Sequence, residues 1–389
     1  MSMIDLAQKY FHAIFQRSEI RVPTLAQSLF LQSEPVVESG SDVIELETVK
    51  GFETISEHVS RNSTASDGTK IYVAGNATNR KILFPLTQDE FAVDSGLLNR
   101  RIVGFESPYR PLSREARRLY YSAELMKEIV KSQLRGHEYA AMTTFFDAAL
   151  TTPDGAIDFG RTATLKNRKV VEKWSVTATA NPLKDLGDAL KAIRQTSKMG
   201  SSPFVFALMS EGSFENFLKW ASAQKENQNI RINNIWLDNF ANVPPQAGFM
   251  IASGAVYHGW VTTPYGAQPV HVFTYPEYYE ASGSSTAYVP ANKVAVCSYF
   301  PEAFKTFYGP GKRVAESAYY ENMLSGLIDE VEMEKSEKVI GGARIPMEVF
   351  NTVLYPLGRG TGDGGVVESA PLFVPRFADC VATLTTEIK

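Results

Sequence analysis

The stretch Val43-Ile44-Glu45-Leu46-Glu47-Thr48-Val49 places apolar and acidic side chains on opposite faces of an extended chain, so it predicts a β-strand. The polar segment Ser56–Lys70 follows, and the dipeptide Asp67-Gly68 inside it is typical of a hairpin turn. Ile71-Tyr72-Val73 and Lys81-Ile82-Leu83-Phe84 then predict returning strands. The chain from residue 43 to residue 91 therefore predicts a long hairpin.

This hairpin has little to bury against itself, because the segment Ser56–Lys70 is almost entirely polar. A two-stranded ribbon is marginally stable alone in water. It is therefore expected to be disordered or to lie on another molecule, with Ser63, Asp67 and Lys70 as candidate inter-subunit contacts. This pattern points to a subunit of an assembly and away from a self-contained enzyme.

The composition excludes several classes of protein. The chain has 389 residues, 44% of them hydrophobic and 21% charged, which is enough for a large core in two or more lobes. A net charge of −4 argues against strong, autonomous nucleic-acid binding. Cys297 and Cys380 lie far apart in sequence and predict neither a disulfide framework nor a zinc site, so we expect a reducing compartment. No apolar run is long enough to span a membrane, and the first twenty residues lack the core of a signal peptide.

Residues 1–42 predict an extended arm, because Pro23, Pro35 and Ser39-Gly40-Ser41 interrupt regular structure. Leu29, Phe30 and Leu31 are apolar in the middle of this arm. They either anchor the arm in the core or contact a neighbouring subunit, and the sequence leaves both alternatives open.

A long helix is predicted from Ser113, its N-cap, to about Leu150, with Pro153-Asp154-Gly155 as its stop. At 1.5 Å per residue it would span roughly 55 Å, which suits a structural spine. Apolar residues recur along it at helical spacing and predict one buried stripe: Ala116, Leu119, Ala123, Met126, Val130, Leu134, Phe145, Phe146 and Ala149.

The following residues alternate between strand and helix patterns. Ala156–Phe159 predicts a strand, Asn181-Pro182 opens a helix that closes before Gly200, Phe204–Leu208 predicts a buried strand, and Phe214–Ala223 predicts a helix beside it. This alternation predicts a mixed α/β lobe. Further strands are predicted at 249–251, 255–261, 270–275, 293–298, 366–367 and 380–384, and a flexible surface loop at 281–286.

None of the chemical motifs is complete. His137-Glu138-Tyr139-Ala140-Ala141 begins like a zinc-protease helix, but Ala141 stands where the second ligand is needed, so His137 is expected to face solvent. Gly309-Pro310-Gly311-Lys312-Arg313 lacks the spacing of a phosphate loop. Gly358–Gly365 precedes a predicted strand, whereas a dinucleotide fingerprint opens a helix, so a surface loop is expected. We expect no catalytic residue, metal site or cofactor; the rival hypothesis is an enzyme that cradles a nucleotide at Gly358–Gly365.

Arginines cluster at the start of the long helix, at Arg114, Arg117 and Arg118. The cluster is either a solvated helix face or, because cations are unfavourable at a helix N-terminus, a contact with a nearby acidic partner. The candidates are carboxylates of a neighbouring subunit or the phosphates of DNA on an inner face.

Several segments, in matching order along nearly the whole chain, resemble those of the lambda-like major capsid proteins of tailed phages, the phage capsid protein E family. Besides the arginine-rich helix start they are Met1-Ser2-Met3, Pro23–Phe30, Val43–Leu46, Asp158–Arg161, Trp174-Ser175, Asn181-Pro182, Tyr288–Val294 and Glu368–Leu372. The stretches Gln224–Gly266 and Gly358–Gly365 depart from the family pattern.

The resemblance implies an α+β fold of the HK-97 type. Its expected parts are an N-arm (1–42), an E-loop with flanking strands (43–100), a P-domain with the spine helix (101–180), an A-domain (181–345) and strands that return to the P-domain (346–389). It also implies a major capsid protein that self-assembles into hexamers and pentamers of an icosahedral head enclosing double-stranded DNA.

The partners implied by the resemblance are a scaffolding protein, a portal and a decoration protein. Assembly would take place in the host cytoplasm, and the product would be part of the virion. The alternative with the same fold is the shell protein of an encapsulin-like nanocompartment.

Overall fold

The computed structural model describes residues 20–33, 35–37, 41–49, 77–100, 113–197, 202, 204–226, 235–237, 243–265, 268–281, 283–311, 337–340, 343–346, 350–356 and 362–387. The chain groups into two compact units. The first comprises residues up to 43, 83–141 and 306–373, and the second comprises residues 44–82, 142–305 and 374–389. The five parts expected from the sequence divide the chain differently, and that division stays a prediction.

The helices of the described residues are α1 (Leu25–Phe30), α2 (Ser95–Leu98), α3 (Arg114–Asp147), α4 (Pro182–Ser197), α5 (Glu211–Glu226) and α6 (Gly248–Ala252). The strands are β1 (Val36–Val37), β2 (Val43–Val49), β3 (Ala77–Leu83), β4 (Thr87–Asp94), β5 (Ala149–Thr152), β6 (Gly155–Asp158), β7 (Arg168–Lys169), β8 (Phe204–Met209), β9 (Ile235–Leu237), β10 (Val256–Val261), β11 (Val270–Thr274), β12 (Tyr278–Ala281), β13 (Ser284–Ala287), β14 (Lys293–Tyr299), β15 (Phe304–Tyr308), β16 (Glu337–Ile340), β17 (Ala343–Pro346), β18 (Asn351–Pro356), β19 (Gly362–Ser369), β20 (Pro371–Pro375) and β21 (Val381–Thr385).

In the first unit, α3 packs against the antiparallel sheet β18-β19-β4. Met126, Val130 and Leu134 of the helix have no exposed surface and share one cluster with Phe91 and Val367 of the sheet. Burying an aliphatic side chain of this size stabilises the fold by roughly 1.5–3 kcal/mol. The predicted stripe is therefore confirmed at these three positions.

The long helix ends earlier than predicted. It runs over 34 residues from Arg114, directly after the predicted cap, to Asp147. Ala148 then adopts a left-handed backbone with φ of 49°, which breaks the helical geometry. Residues Ala149–Thr152 do not continue the helix but form strand β5. The chain then turns at Pro153-Asp154 and returns as β6, which pairs with β5. The predicted stop at residue 153 is wrong, and the predicted strand at 156–159 is confirmed.

The second unit contains a seven-stranded mixed sheet in the order β7-β21-β14-β8-β11-β10-β9. Strand β8 pairs parallel with β11 and antiparallel with β14, and all six of its residues are buried. Residues of α4 and α5, including Leu186, Leu190 and Phe217, share a core cluster with this sheet. The mixed α/β lobe is confirmed.

Three short segments differ from the sequence predictions. Residues 249–251 lie in helix α6 and not in a strand. The prediction was wrong because a run of three apolar residues fits a helix as well as a strand. Residues 281 and 283–286 belong to the β12–β13 hairpin, and Gly283 between the strands has φ of 79°. Gly362–Gly365 begin strand β19, which pairs with β18 and β4, and do not lie in the surface loop that was expected there.

The N-terminal hairpin is present as far as the described residues reach. Strand β2 is confirmed over Val43–Val49, and it pairs with β3 in a two-stranded sheet of their own. Lys81 of β3 and Glu45 of β2 form an exposed ion pair with a 2.9 Å Nζ–Oε1 distance. The tip, with Ser63, Asp67 and Lys70, lies outside the described residues.

Candidate assembly site

The apolar triplet of the predicted arm lies in the core of its own subunit. Leu29 and Phe30 have no exposed surface, and Leu31 is 5% exposed. The Phe30 and Phe373 rings pack edge to face with their centroids 5.5 Å apart. The Phe30 carbonyl accepts a hydrogen bond from the Thr306 hydroxyl. Burial leaves these side chains no surface for a neighbouring subunit. Of the two alternatives, the structure supports the anchor, which corrects their assignment as inter-subunit contacts.

A buried carboxylate fixes this anchor to the long helix. Glu138 has no exposed surface, and its oxygens accept from the backbone N–H groups of Ala26 (2.7 Å) and Gln27 (3.0 Å) in the first turn of α1. Negative charge is favourable at a helix N-terminus, where these donors have no partner inside the helix. The Gln27 amide also donates to the carbonyl of Leu134. The segment from Thr24 to Leu31 is thus attached to α3 through buried hydrogen bonds.

His137 is buried rather than solvent-facing, which corrects the sequence expectation. It is 3% exposed and stacks on Phe350 with ring centroids 6.2 Å apart. Its Nε2 lies 3.3 Å from the Thr87 hydroxyl, which donates its own proton to the carbonyl of Ser369. Nε2 therefore carries the imidazole proton and donates it to Thr87. Burial lowers the pKa of His137 from 6.5 to about 3, so the ring is neutral at physiological pH.

This burial predicts an acid-sensitive first unit. The folded pKa of His137 is depressed, so the unfolded chain binds the extra proton between pH 6.5 and about pH 3, and stability falls as pH falls through this window. Between pH 7 and pH 5 the loss should be about 2 kcal/mol. Denaturant unfolding followed by circular dichroism at both pH values measures it. His137→Gln keeps a donor for Thr87 but does not titrate, so it should lose that much less; equal losses would contradict the prediction.

The arginines at the start of α3 differ in exposure. Arg114 is exposed, whereas Arg117 and Arg118 are half-buried. Arg117 donates from Nη1 to the carbonyl of Leu98 at 3.2 Å, so it has a role inside the subunit. Arg114 is the member of the trio that is most available to an acidic partner.

The segment Asp158–Arg161 joins three parts of the second unit. Gly160 has φ of 77°, and Arg161 behind it is 3% exposed. The guanidinium donates from Nη1 to the carbonyl of Phe146, from Nη2 to that of Phe145 (2.7 Å) and from Nε to that of Ala378 (2.9 Å). Two of these carbonyls belong to the last turn of α3, where they lack helical partners. Burial lowers the pKa of Arg161 to about 10, so it stays charged at neutral pH.

The Trp-Ser and Asn-Pro segments fix the entry to α4. Trp174 is fully buried and donates from Nε1 to Asp185 of α4 at 2.9 Å. Burial raises the pKa of Asp185, and the hydrogen bond from Trp174 opposes that rise. Ser175 donates to Glu387 through both its backbone N–H and its hydroxyl. Asn181 accepts from the N–H of Lys184, so the predicted N-cap is confirmed.

The last two segments that resemble the family are Tyr288–Val294 and Glu368–Leu372. Each contributes a backbone carbonyl that accepts hydrogen bonds from a distant part of the chain. Asn292 has φ of 57°, a conformation that asparagine tolerates, and its carbonyl accepts from both the N–H and the hydroxyl of Thr386. Near Glu368–Leu372, the carbonyl of Ala370 accepts from the N–H of Gly309 at 2.8 Å. A Cβ at Gly309 would collide with the side chain of Phe84, so this glycine is needed for close packing.

Within the part of the chain that the structure describes, no three metal-ligating side chains come together. Among those same residues, no helix has the length and apolarity to cross a bilayer.

The fold is similar to a solved structure from an Escherichia coli CFT073 prophage, described as a candidate capsid protein. The two are 12% identical, with a TM-score of 0.60, over 98% of this chain and 99% of that one. The chain thus has the α+β architecture of HK-97-type capsid proteins, as predicted. It belongs to the phage major capsid protein E family, whose model matches residues 20–386.

Two other solved structures are more distant. A phage-related protein from Bordetella bronchiseptica RB50 is 11% identical, with a TM-score of 0.47 over 98% of this chain and 96% of that one. An encapsulin from Synechococcus elongatus PCC 7942 is 8% identical, with a TM-score of 0.43 over 96% and 94%. Both scores are too low to bear on function. Among curated proteins there is no match.

Proposed function

We propose that this capsid protein assembles with copies of itself into the hexamers and pentamers of an icosahedral phage head around double-stranded DNA. The observation that carries the proposal is the match to the major capsid family over residues 20–386. That match favours a phage head over an encapsulin-like compartment, which shares the fold. The match also favours a structural role over the rival nucleotide-binding enzyme. The glycine tract agrees with this, since Gly362–Gly365 lie in a strand, whereas a dinucleotide-binding tract opens a helix.

The parts of the chain have distinct roles in this proposal. Residues 1–42 are the N-arm, which Leu29 and Phe30 anchor in their own subunit, and residues 43–100 carry the E-loop. Residues 101–180 form the P-domain with α3, residues 181–345 the A-domain with the mixed sheet, and residues 346–389 return to the P-domain. Among the described residues β2 pairs with β3 alone, which supports the E-loop, because a two-stranded ribbon needs another surface for stability.

Deleting Ser60–Lys70 tests the E-loop. The subunit should keep its fold, since this polar segment offers little apolar area to bury. Shells should fail to form, because each loop would lie over a neighbouring subunit. Unfolding temperature and circular dichroism check the fold, and electron microscopy with sedimentation checks the shells.

A full-length variant with Ser63, Asp67 and Lys70 all changed to alanine is the matched control. It keeps the reach of the loop and removes the three candidate contacts. Shell failure in both variants would support these residues as contacts, whereas failure of the deletion alone would support the loop without them. Normal shells from the deletion variant would refute the role of the loop.

DNA and the other partners follow from the same proposal. With a net charge of −4, contact with packaged DNA should be weak and directed to phosphate, with Arg114 the leading inner-face cation and Arg117 and Arg118 beside it. Such contact should weaken steeply as salt rises, because it releases counterions. A scaffolding protein, a portal and a decoration protein complete the assembly, which forms in the host cytoplasm and leaves as part of the virion. The proposal involves no catalytic site or cofactor.

A further inference from the structure

The fold brings together the chain's two cysteines, which the sequence separates widely. Cys297 lies on β14, where its Cα partner on the neighbouring strand is Val381. Cys380 directly precedes Val381, at the end of a short 3₁₀ turn over residues 378–380. Both thiols are free and buried, and they are within hydrogen-bonding reach of each other.

The backbone at this position suits a disulfide. A Cα atom next to a paired position lies about 6 Å from the residue across the strand pair, given the spacing between strands and along them. Cys380 ends a 3₁₀ turn and is not part of β21, so the strand alternation that would turn its side chain to the opposite face does not apply to it. Disulfides bridge Cα atoms about 4.4–6.8 Å apart.

A fixed positive charge stands beside the thiols. The Arg161 guanidinium is held by the carbonyls of Phe145, Phe146 and Ala378, and it interacts electrostatically with both sulfur atoms. A nearby cation favours the thiolate, which is the species that attacks a disulfide. Burial acts in the opposite direction and raises the pKa of Cys297 well above its usual value. Reaction should therefore be slow in the closed subunit and faster when the C-terminal strand β21 opens.

We propose that Cys297 and Cys380 form a reversible disulfide that ties the start of the C-terminal strand β21 to its neighbour β14 in the mixed sheet. With oxidised glutathione as oxidant, one cysteine thiolate attacks the glutathione disulfide and releases one glutathione thiolate. The second cysteine thiolate then attacks the mixed disulfide and releases the other. The two cysteine sulfurs lose two electrons to the glutathione disulfide, and their two protons end on the released glutathione thiols.

The consequence for the particle rests on the proposed function. Thiols stay reduced in a bacterial cytoplasm, where the shell would assemble, and disulfides persist outside the cell, where a released virion would be. The bond would therefore form late and would stabilise the subunit after release. Closing the loop from residue 297 to residue 380 restricts the unfolded chain, which is the main source of such stabilisation.

The test uses the purified, unassembled full-length chain, so its failure would not bear on shell formation. The chain is refolded with oxidised glutathione, then denatured and treated with a maleimide before mass spectrometry. We expect no maleimide adduct, a mass lower by two hydrogens, and a monomer on a non-reducing gel. The melting temperature should rise by a few degrees and return after reduction.

Cys297→Ala is the control, because it keeps a single thiol and should show no oxidant-dependent rise. Two maleimide adducts after oxidation, or disulfides only between chains, would overturn the proposed pair. An intrachain disulfide that leaves the melting temperature unchanged or lowers it would overturn the stabilising role.

Discussion

Replacing Arg161 with methionine should lower the free energy of unfolding of the second unit by about 4 kcal/mol, because three buried carbonyls lose their donor at once. Methionine fills a similar volume but donates no hydrogen bond. The affected carbonyls are those of Phe145 and Phe146 at the end of α3 and of Ala378 before the last strand. Urea unfolding followed by tryptophan fluorescence suits this test, since all four tryptophans lie between residues 174 and 260.

Two further variants separate hydrogen bonding from charge at this site. Arg161→Lys keeps the charge but not the planar fork of donors, so it should recover only part of the loss. Arg168→Met removes a donor whose single bond, to the carbonyl of Thr164, is exposed, and it should cost less than about 1 kcal/mol. If Arg161→Met cost no more than Arg168→Met, the guanidinium would not be holding these segments together.

Replacing Val130 with aspartate should lower the stability of the first unit by several kcal/mol. Val130 has no exposed surface and packs in the cluster between α3 and the β18-β19-β4 sheet. A carboxylate there would be buried without a partner, or would have to stay protonated, and either costs about 3–5 kcal/mol. Met126→Asp should behave in the same way. Chemical denaturation monitored by circular dichroism measures the loss.

Lys127→Ala is the matched control on the same helix. Its ammonium pairs only loosely with Glu124, at 3.8 Å, and such surface pairs contribute little. We expect a change within about 0.5 kcal/mol. Similar losses for Val130→Asp and Lys127→Ala would mean that the buried face of α3 is assigned to the wrong side.

Strong local patterns predicted much of this fold. The alternation in Val43–Val49 and the apolar run at Phe204–Leu208 depend on neighbours in sequence, and both strands are present. The Asn181-Pro182 start of α4 is equally local, because the cap and the N–H group that donates to it lie three residues apart. Order along the chain, rather than any single motif, predicted the family.

The roles of polar residues were less predictable. Glu138 stood in a failed metal motif, and its actual partners, Ala26 and Gln27, lie more than a hundred residues away. His137 beside it was expected to face solvent, because nothing local indicates that Thr87 and Phe350 cover it. The only available signal was that both residues lie close to the apolar stripe of α3.

By itself, the sequence determined the hairpin β2–β3, the long helix, the mixed α/β lobe and the family, since each depends on periodicity or on motif order. Only the tertiary structure decided that α3 ends at Asp147, that Leu29 and Phe30 anchor the arm, and that Cys297 meets Cys380. The physical reason is that a buried polar or reactive group is stabilised by partners that the fold delivers from distant parts of the chain. Such partners leave no periodic trace in the residues around the group.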